Sequence, residues 1–391
     1  MTDFDVIVVG GGPAGSMAAW YAVKGGAKTI ILEKDRDIGY PVRCGEAVSD
    51  AGLRQFLEPR PSWIASTISK IRMVSPDGSV VDTAGSALGY ILHRRMFDYD
   101  LANIAAQAGA QVLTKAYVTG LLRNESGQIT GVEYEYLGEK RTLTSKIVIG
   151  ADGVESRVGR WAGLRTALKL RDAESCVQIS VANVDVDPER IDFYVGHTYA
   201  PGGYLWVFPK GDGKANIGLG VVGTEAKHYK AIDLLNRFMG KAYPNASTLT
   251  MICGGVPVAK TLKKYTSDGI MLTGDAARMV NPMTGGGIIS GMHGGKLAGI
   301  TAAEAIEAGD YSGKFFERYT KRWDKAGGDS HARLYRIADA VDSLSDPDLN
   351  DIAKSLLKVS QEKRSLLKIF TTAAKKRPSI LLDVAKAFAG I

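Results

Sequence analysis

The sequence predicts a protein of the α/β class, α+β overall, with an inserted sheet domain and a helical C-terminal tail. Three observations predict it. The chain opens with a buried strand, a glycine turn, an Ala-rich helix and a second buried strand, which together form one βαβ unit. Residues 175–257 are rich in β-branched and aromatic side chains and are often interrupted by turns, as in antiparallel sheets. After Asp310 the pattern is helical to the end.

Two further glycine-containing turns follow buried strands, at 150–153 and at 274–275. Turns of this kind belong with the first βαβ unit in a Rossmann-like domain, so we expect that domain to be discontinuous. The predicted Rossmann-like segments are 1–60, 88–165 and 265–310. The predicted sheet domain comprises 61–87 and 166–264, and the C-terminal helical region is 311–391.

The composition is that of an ordinary globular protein. Of the 391 residues, 45% are hydrophobic and 23% are charged, which excludes wholesale disorder. The three cysteines are odd in number and far apart, so they form no disulfide framework and predict a reducing, cytoplasmic setting. No group of residues has metal-ligand spacing, and we expect no metal site.

The net charge of +7 is concentrated at one end of the chain. Residues 352–391 contain nine basic and two acidic residues, so the first 351 residues are balanced. Nucleic-acid binding would need a basic face on a folded module, and we expect none. The tail has apolar residues at roughly helical spacing: Leu356, Leu357, Leu366, Leu367, Ile369, Phe370, Ile380, Leu381, Val384 and Phe388. It predicts either a membrane-docking surface at the inner membrane face or helices packed on the body.

The first chemical motif is Gly10-x-Gly12-x-x-Gly15, between the first strand and the first helix. A dinucleotide pyrophosphate needs backbone N–H groups at close range and a helix N-terminus. Glu33 ends the next strand at the spacing expected of a carboxylate that binds ribose hydroxyls. These residues predict a dinucleotide site.

A second motif favours a flavin over a nicotinamide. Gly274-Asp275 follows a buried strand, and the run Thr284-Gly285-Gly286-Gly287 precedes a helix. Asp275 can accept hydrogen bonds from ribityl hydroxyls, and the glycines let the helix N-terminus approach a flavin carbonyl or phosphate. Asp275 could equally cap a helix, and both roles are compatible.

Together with Gly150-Ala151-Asp152-Gly153, these motifs resemble the three fingerprints of FAD enzymes of the p-hydroxybenzoate-hydroxylase type. Pro41-Val42-Arg43-Cys44-Gly45-Glu46 and Tyr204-x-Trp206-x-Phe208-Pro209 are more specific, and they resemble the geranylgeranyl reductases, most of all the archaeal members that act on digeranylgeranylglycerophospholipid. The resemblance covers essentially the whole chain. It implies a flavin-dependent reductase that saturates isoprenoid double bonds in archaeal membrane ether lipids.

The resemblance also implies site residues. FAD would be held by Gly10, Gly12, Ala14, Gly15, Glu33, Arg43, Cys44, Gly45, Ala47, Arg94, Val118, Asp152, Asp275, Gly285, Gly287 and Ile288. The lipid would contact Tyr204, Trp206 and Phe208, which strand alternation places on one face. Those aromatics could instead fill the core. Cys44 is the candidate catalytic residue, as a group that positions substrate or relays a proton, and its alternative is a small buried apolar residue.

Several alternatives remain open at the level of sequence. An aromatic or lipid monooxygenase or a halogenase would use the same scaffold, although the Trp-x-Trp-x-x-Ile motif of halogenases is absent. Another geranylgeranyl substrate, the free pyrophosphate or a chlorophyll side chain, and a non-catalytic flavin or lipid carrier are further alternatives. A single dinucleotide fingerprint leaves reduced ferredoxin or a transient encounter with NAD(P)H as electron donor.

Overall fold

The computed structural model describes residues 2–83 and 89–387, and its contacts divide the chain into two compact units. The first unit comprises 1–42, 94–168 and 259–331, and the second comprises 43–93, 169–258 and 332–391. Residues 84–88, at the end of the predicted segment 61–87 and the start of 88–165, lie outside the described residues, as does Phe388 of the tail. The α/β class, the sheet-containing second part and the helical C-terminal region predicted from the sequence are confirmed.

The strands are β1 (Phe4–Val9), β2 (Thr29–Leu32), β3 (Ala47–Ser49), β4 (Ile64–Ile68), β5 (Lys70–Val74), β6 (Val80–Asp82), β7 (Gly89–Leu92), β8 (Gln111–Leu113), β9 (Ala116–Arg123), β10 (Ile129–Tyr136), β11 (Glu139–Gly150), β12 (Glu174–Ala182), β13 (Arg190–Val195), β14 (Tyr204–Pro209), β15 (Lys214–Val222), β16 (Ser247–Val256), β17 (Thr266–Ser267) and β18 (Ile270–Leu272). The α-helices are α1 (Pro13–Lys24), α2 (Asp50–Leu53), α3 (Arg94–Gln107), α4 (Arg157–Trp161), α5 (Ala231–Ala242), α6 (Ile288–Ala308), α7 (Gly313–Trp323), α8 (Asp329–Asp342), α9 (Asp346–Leu357), α10 (Leu366–Ala374) and α11 (Leu381–Ala387).

The first unit is built on a sheet with the order β17–β18–β11–β1–β2–β8. All its pairs are parallel except the antiparallel β17–β18 pair at the edge. The central strand β1 is buried almost throughout, as its unbroken apolar sequence predicts. The long strand β11 also pairs with β10, and β10 with β9, in an antiparallel ribbon.

Helices α1 and α6 pack closely because α6 has glycine where they meet. A Cβ at Gly295 would lie 2.1 Å from the Ala14 carbonyl oxygen, and one at Gly299 would lie 2.3 Å from that of Ala18. Any larger residue would therefore push the helices apart. This contact holds the N-terminal end of α1 beside that of α6.

The second unit contains a seven-stranded sheet with the order β16–β12–β15–β14–β13–β5–β6. The β13–β5 pair is parallel and the others are antiparallel. One face of this sheet packs against α5, where Leu234 and Leu235 join a core with Val177, Leu205 and Val221. A separate three-stranded sheet has the order β3–β7–β4.

The contacts group several segments differently from the predicted boundaries, among them 43–60 and the C-terminal region. Residues 43–60 join the second unit because β3 pairs with β7. Residues 332–391 of the C-terminal region also join it, since Ile352, Leu356 and Ile369 share a buried cluster with Val81 of β6, whereas α7 stays with the first unit. Much of the apolar stripe in the tail is therefore packed against the second unit.

Candidate functional site

The glycine turns of the first unit converge on one another. A Cβ at Gly15 would lie 1.9 Å from the Gly10 carbonyl oxygen, and one at Gly10 would lie 2.4 Å from the Ala151 carbonyl oxygen. A Cβ at Gly274 would lie 2.8 Å from the Ala14 side chain. The turns at 10–15, 150–153 and 274–275, far apart in the sequence, thus form one locus.

Gly12 is the residue that this locus leaves open. A Cβ at Gly12 would meet no atom within 4 Å, and the φ of −72° at this position is ordinary for any residue. Neither space nor backbone conformation therefore requires glycine here in the protein alone. Gly12 caps the N-terminus of α1, where the first backbone N–H groups have no partner within the helix. Such a cradle fits an anionic pyrophosphate.

Glu33 is fixed beside this cradle by two backbone N–H groups. Gly11 donates to Glu33 Oε2 at 2.8 Å, and Asp35 donates to Oε1 at 2.9 Å. A carboxylate has about four acceptor positions, so acceptor capacity remains for ribose hydroxyls. Val118 is buried in β9, whose first residue, Ala116, donates its backbone N–H to the Glu33 carbonyl.

Asp275 lies at the N-terminus of α6. A Cβ at Gly287, the residue before α6, would lie 3.0 Å from Asp275 Oδ1. Burial raises the pKa of the Asp275 carboxyl, and the nearby Arg94 guanidinium opposes that rise. The sequence left a capping role open, but Asp275 lies within the short 3-10 turn Gly274–Ala277, whose cap is Thr273. Gly285 and Ile288 flank Gly287 in the same segment.

Two other predicted residues of this unit have structural partners. Asp152 Oδ2 accepts the backbone N–H of Val158, while its Oδ1 is buried without a hydrogen-bond partner, and burial raises its pKa. Arg94 forms a bidentate pair with Asp98, at 2.6 and 2.7 Å.

The site of the first unit fits a dinucleotide, which carries both phosphate and hydroxyl groups. The open cradle at Gly12 and the two helix N-termini fit the phosphates, and the buried Asp152 oxygen without a partner fits a hydroxyl group.

The remaining predicted residues lie in the second unit, and the three aromatic ones are on the face of the seven-stranded sheet opposite α5. Tyr204, Trp206 and Phe208 share this face, as strand alternation predicts, while Leu205 and Val207 are buried on the other. The rings contact one another, with centroids 5.8 Å apart for Tyr204–Trp206 and 6.2 Å apart for Trp206–Phe208.

The sequence left two roles open for these aromatic residues, lipid binding and core filling, and each role fits part of the set. Phe208 is 5% exposed and packs with Ile68 and Ile91 in a small core cluster. Tyr204 and Trp206 are half-buried, so they remain available to line a cavity. We call the sheet face that carries Tyr204, Trp206 and Phe208 the aromatic face.

The loop 43–47 is tied to the aromatic face by side chains. Gln178 on β12 donates to the Cys44 carbonyl at 2.9 Å and accepts from Trp206 Nε1 at 3.0 Å. A Cβ at Gly45 would lie 2.9 Å from the Phe208 ring. Cys44 is half-buried, and its sulfur accepts the backbone N–H of Glu46 at 3.2 Å. Arg43 is exposed and Ala47 begins β3.

Sequence reasoning missed the ion pair that holds this loop. Glu46 is buried with a left-handed φ of 73°, and its Oε2 accepts from Lys210 Nζ and from Asn216 Nδ2, each at 2.6 Å. Lys210 also donates to the Leu92 carbonyl. The alternation Asn216-x-Gly218-x-Gly220 on β15 was a signal that a polar and glycine-lined face lay here.

Comparisons with known proteins identify the family of the chain. A family model of the FAD dependent oxidoreductases matches residues 5–201, and the model of the geranylgeranyl reductase catalytic domain matches residues 172–256, which span β12 to β16. The digeranylgeranylglycerophospholipid reductase of Methanocella arvoryzae is 42% identical, with 98% of each chain covered. That of Methanosarcina mazei is 44% identical over 98% of this chain and 96% of the relative.

The chain belongs to the geranylgeranyl reductase family. A solved structure of a geranylgeranyl bacteriochlorophyll reductase-like protein from Thermoplasma acidophilum superposes with a TM-score of 0.91 at 37% identity, covering 98% of this chain and 99% of the other. A flavin-dependent brominase, 18% identical with a TM-score of 0.74 over 99% of this chain and 100% of the other, shares the fold. The present protein is therefore an FAD-dependent oxidoreductase. Among the residues described, no group of His, Cys, Asp and Glu is arranged to hold a metal ion.

The open space at Gly12 gives a direct test of the cofactor site. We expect Gly12→Ala to leave the apoprotein as stable as the wild type, because the new methyl group meets no protein atom. It would obstruct the pyrophosphate and weaken FAD binding at least about tenfold. Titration of apoprotein with FAD measures the affinity, and thermal unfolding measures the stability. Gly240→Ala, at an exposed glycine of α5 with nothing within 4 Å, is the matched control and should bind FAD normally. Unchanged affinity in Gly12→Ala would contradict the assignment.

Proposed function

We propose that this protein saturates the isoprenoid double bonds of geranylgeranyl chains in archaeal membrane ether lipids, converting a 2,3-digeranylgeranylglycerophospholipid to an archaeol-type lipid. The aromatic face carries the proposal. Tyr204 and Trp206 offer half-buried rings to a chain that has only apolar surface. The residues matched to the geranylgeranyl reductase catalytic domain include this face.

We propose the following roles for the first unit. Gly10, Gly12, Ala14 and Gly15 hold the pyrophosphate of FAD at the N-terminus of α1, and Glu33 binds the ribose hydroxyls. Asp275, with the N-terminus of α6, holds the ribityl and flavin part. Bound FAD in its reduced form supplies a hydride to one carbon of the double bond.

The tasks of the second unit are then to bind the isoprenoid, to keep water away and to supply a proton to the other carbon. Gln178 links the Trp206 ring to the loop of Cys44 through two hydrogen bonds, and this fixes the position of the loop on the aromatic face. The ion pair between Glu46 and Lys210 anchors the same loop two residues after Cys44. Breaking it would leave a buried charge without its partner, which costs about 3–5 kcal/mol.

Saturation and hydroxylation are distinguished by mass. We expect anaerobic incubation with dithionite and a digeranylgeranyl phospholipid to add about 2 Da per reduced double bond, one hydride and one proton. The Gly12→Ala protein is the matched control and should lose activity in proportion to its lost flavin. A gain of about 16 Da with oxygen and NAD(P)H would instead show a monooxygenase. We propose that the physiological electron donor is reduced ferredoxin or NAD(P)H. Replacing dithionite by each of them in turn identifies which one supports lipid saturation.

For Cys44 we propose that the thiol positions the substrate or relays a proton. We expect Cys44→Ala to lower lipid turnover at least about tenfold, equivalent to about 1.4 kcal/mol, at unchanged FAD occupancy. Cys253→Ala is the control, since Cys253 is exposed on β16. Full turnover in Cys44→Ala would leave Cys44 as a packing residue.

We also propose that the tail contacts an anionic membrane. Leu366, Leu367, Leu381 and Leu382 are 36–65% exposed at the starts of α10 and α11, among the basic residues of the tail. Each cation near an anionic surface contributes about 1 kcal/mol. Within 2–83 and 89–387, no helix is both long and apolar enough to cross a bilayer.

We expect replacement of these four leucines by Ser to reduce co-sedimentation with anionic liposomes. This test is preferable to deletion of the tail, because Ile352, Leu356 and Ile369 are buried. Leu249→Ser, at an exposed leucine of β16, is the control. Equal co-sedimentation of the fourfold variant and wild type would rule out the contact.

A further inference from the structure

Glu174 lies on the aromatic face. The pairing of β12 with β15 is regular, with Cys176 opposite Gly220 and Gln178 opposite Gly218. Alternation therefore puts Glu174 on the same side as Gln178, whose side chain reaches Trp206.

Glycines give the Glu174 carboxyl its position. A Cβ at Gly220 would lie 2.4 Å from Glu174 Oε2 and 3.1 Å from Cys176 Sγ, and one at Gly203 would lie 3.5 Å from Oε1. The carboxyl group thus lies across the backbone of β15, toward the start of β14. Tyr204 is close enough that a charge on Glu174 would raise the pKa of its hydroxyl.

The surroundings of Glu174 keep it protonated. Burial raises its pKa to about 8, and the negative charge of Asp342 contributes to the rise. Asp342 is an exposed residue of α8, yet desolvation of its carboxyl, together with the negative charge of Asp339, raises its pKa to about 7. The other titratable neighbours are Cys176 and Tyr204, whose pKa values are also raised by burial. Among the residues that the structure describes, no Lys, Arg or His lies within 4 Å of this carboxyl.

We propose that the Glu174 carboxylic acid donates the proton that each isoprenoid double bond takes up, an inference that rests on the proposed function. The Glu174 O–H bond breaks, and the π electrons of the alkene form a new C–H bond at the carbon that does not receive the hydride. The hydride supplies the electron pair of the other C–H bond. Glu174 is left as a carboxylate, which regains one proton from water before the next double bond is reduced.

The proposal predicts the pH dependence of turnover. A donor works only while protonated, so turnover falls as the pH rises through its pKa, near 8. Asp342 is a positioning residue here, because it acts through Glu174. Asp342→Asn removes a negative charge, makes ionisation of Glu174 easier and lowers its pKa. The alkaline limb of the profile should therefore move to lower pH, which a purely structural role of Asp342 would not produce.

The test uses Glu174→Gln, which keeps the size and polarity of the side chain but has no acidic proton. We expect it to lower the rate of lipid saturation by about 100-fold or more. FAD content and the rate of flavin reduction by dithionite should stay at wild-type values. Difference infrared spectroscopy between pH 6 and pH 10 should show the carbonyl band of a protonated carboxylic acid in the wild type, weakened in the variant.

Three outcomes overturn the inference. Wild-type turnover in Glu174→Gln would show that the proton comes from elsewhere, while the proposed function stands. An alkaline limb at unchanged pH in Asp342→Asn, or an infrared band that Glu174→Gln leaves intact, would show that Glu174 is not the acid. Failure of the wild type to saturate the lipid would remove the proposed function, and this inference with it.

Discussion

The close approach of backbone segments at glycine is the constraint on which the first unit depends. The turn at Gly10–Gly15 contacts the backbone of Ala151, and α6 lies against α1 with only hydrogen atoms at Gly295 and Gly299 between them. A single methyl group at Gly15 or Gly295 would collide with a carbonyl oxygen at about 2 Å. Because the two helix N-termini are held together in this way, their unpaired N–H groups can act on one extended ligand.

The second unit uses glycine for a different purpose. On β15, Gly218 makes room for the Trp206 ring and Gly220 makes room for the Glu174 carboxyl, so side chains of both neighbouring strands extend across the strand between them. A β-branched residue would be the more usual choice in the middle of a sheet. The high glycine content, 46 of 391 residues, thus reflects close contacts between segments more than it reflects flexible loops.

The sequence predicted those features that depend on local pattern. The βαβ unit and the alternation of the aromatic strand follow from periodicity and turn chemistry, and both are present. The partners of isolated polar residues could not be predicted. Glu46 and Lys210 are 164 positions apart and meet only because β3, β14 and β15 assemble. For the same reason the position of the Glu174 carboxyl could not be predicted, since it depends on glycines 29 and 46 positions away.

A polyprenyl chain has no hydrogen-bonding atoms, so polar groups on the face that binds it cannot serve its recognition and would each add a desolvation cost. Their presence needs a structural or a chemical cause. Gln178 has a structural one, because it joins Trp206 to the Cys44 loop with both ends of its amide. Asn216 likewise completes the Glu46 network. Glu174 differs from both: its carboxyl lies over Gly220 and 4.0 Å from the Cys176 thiol, and neither neighbour is a loop or strand that it ties in place. A neutral acid beside the binding surface of an apolar chain is costly as structure and useful as a proton source, and the chemistry of alkene saturation requires a proton source.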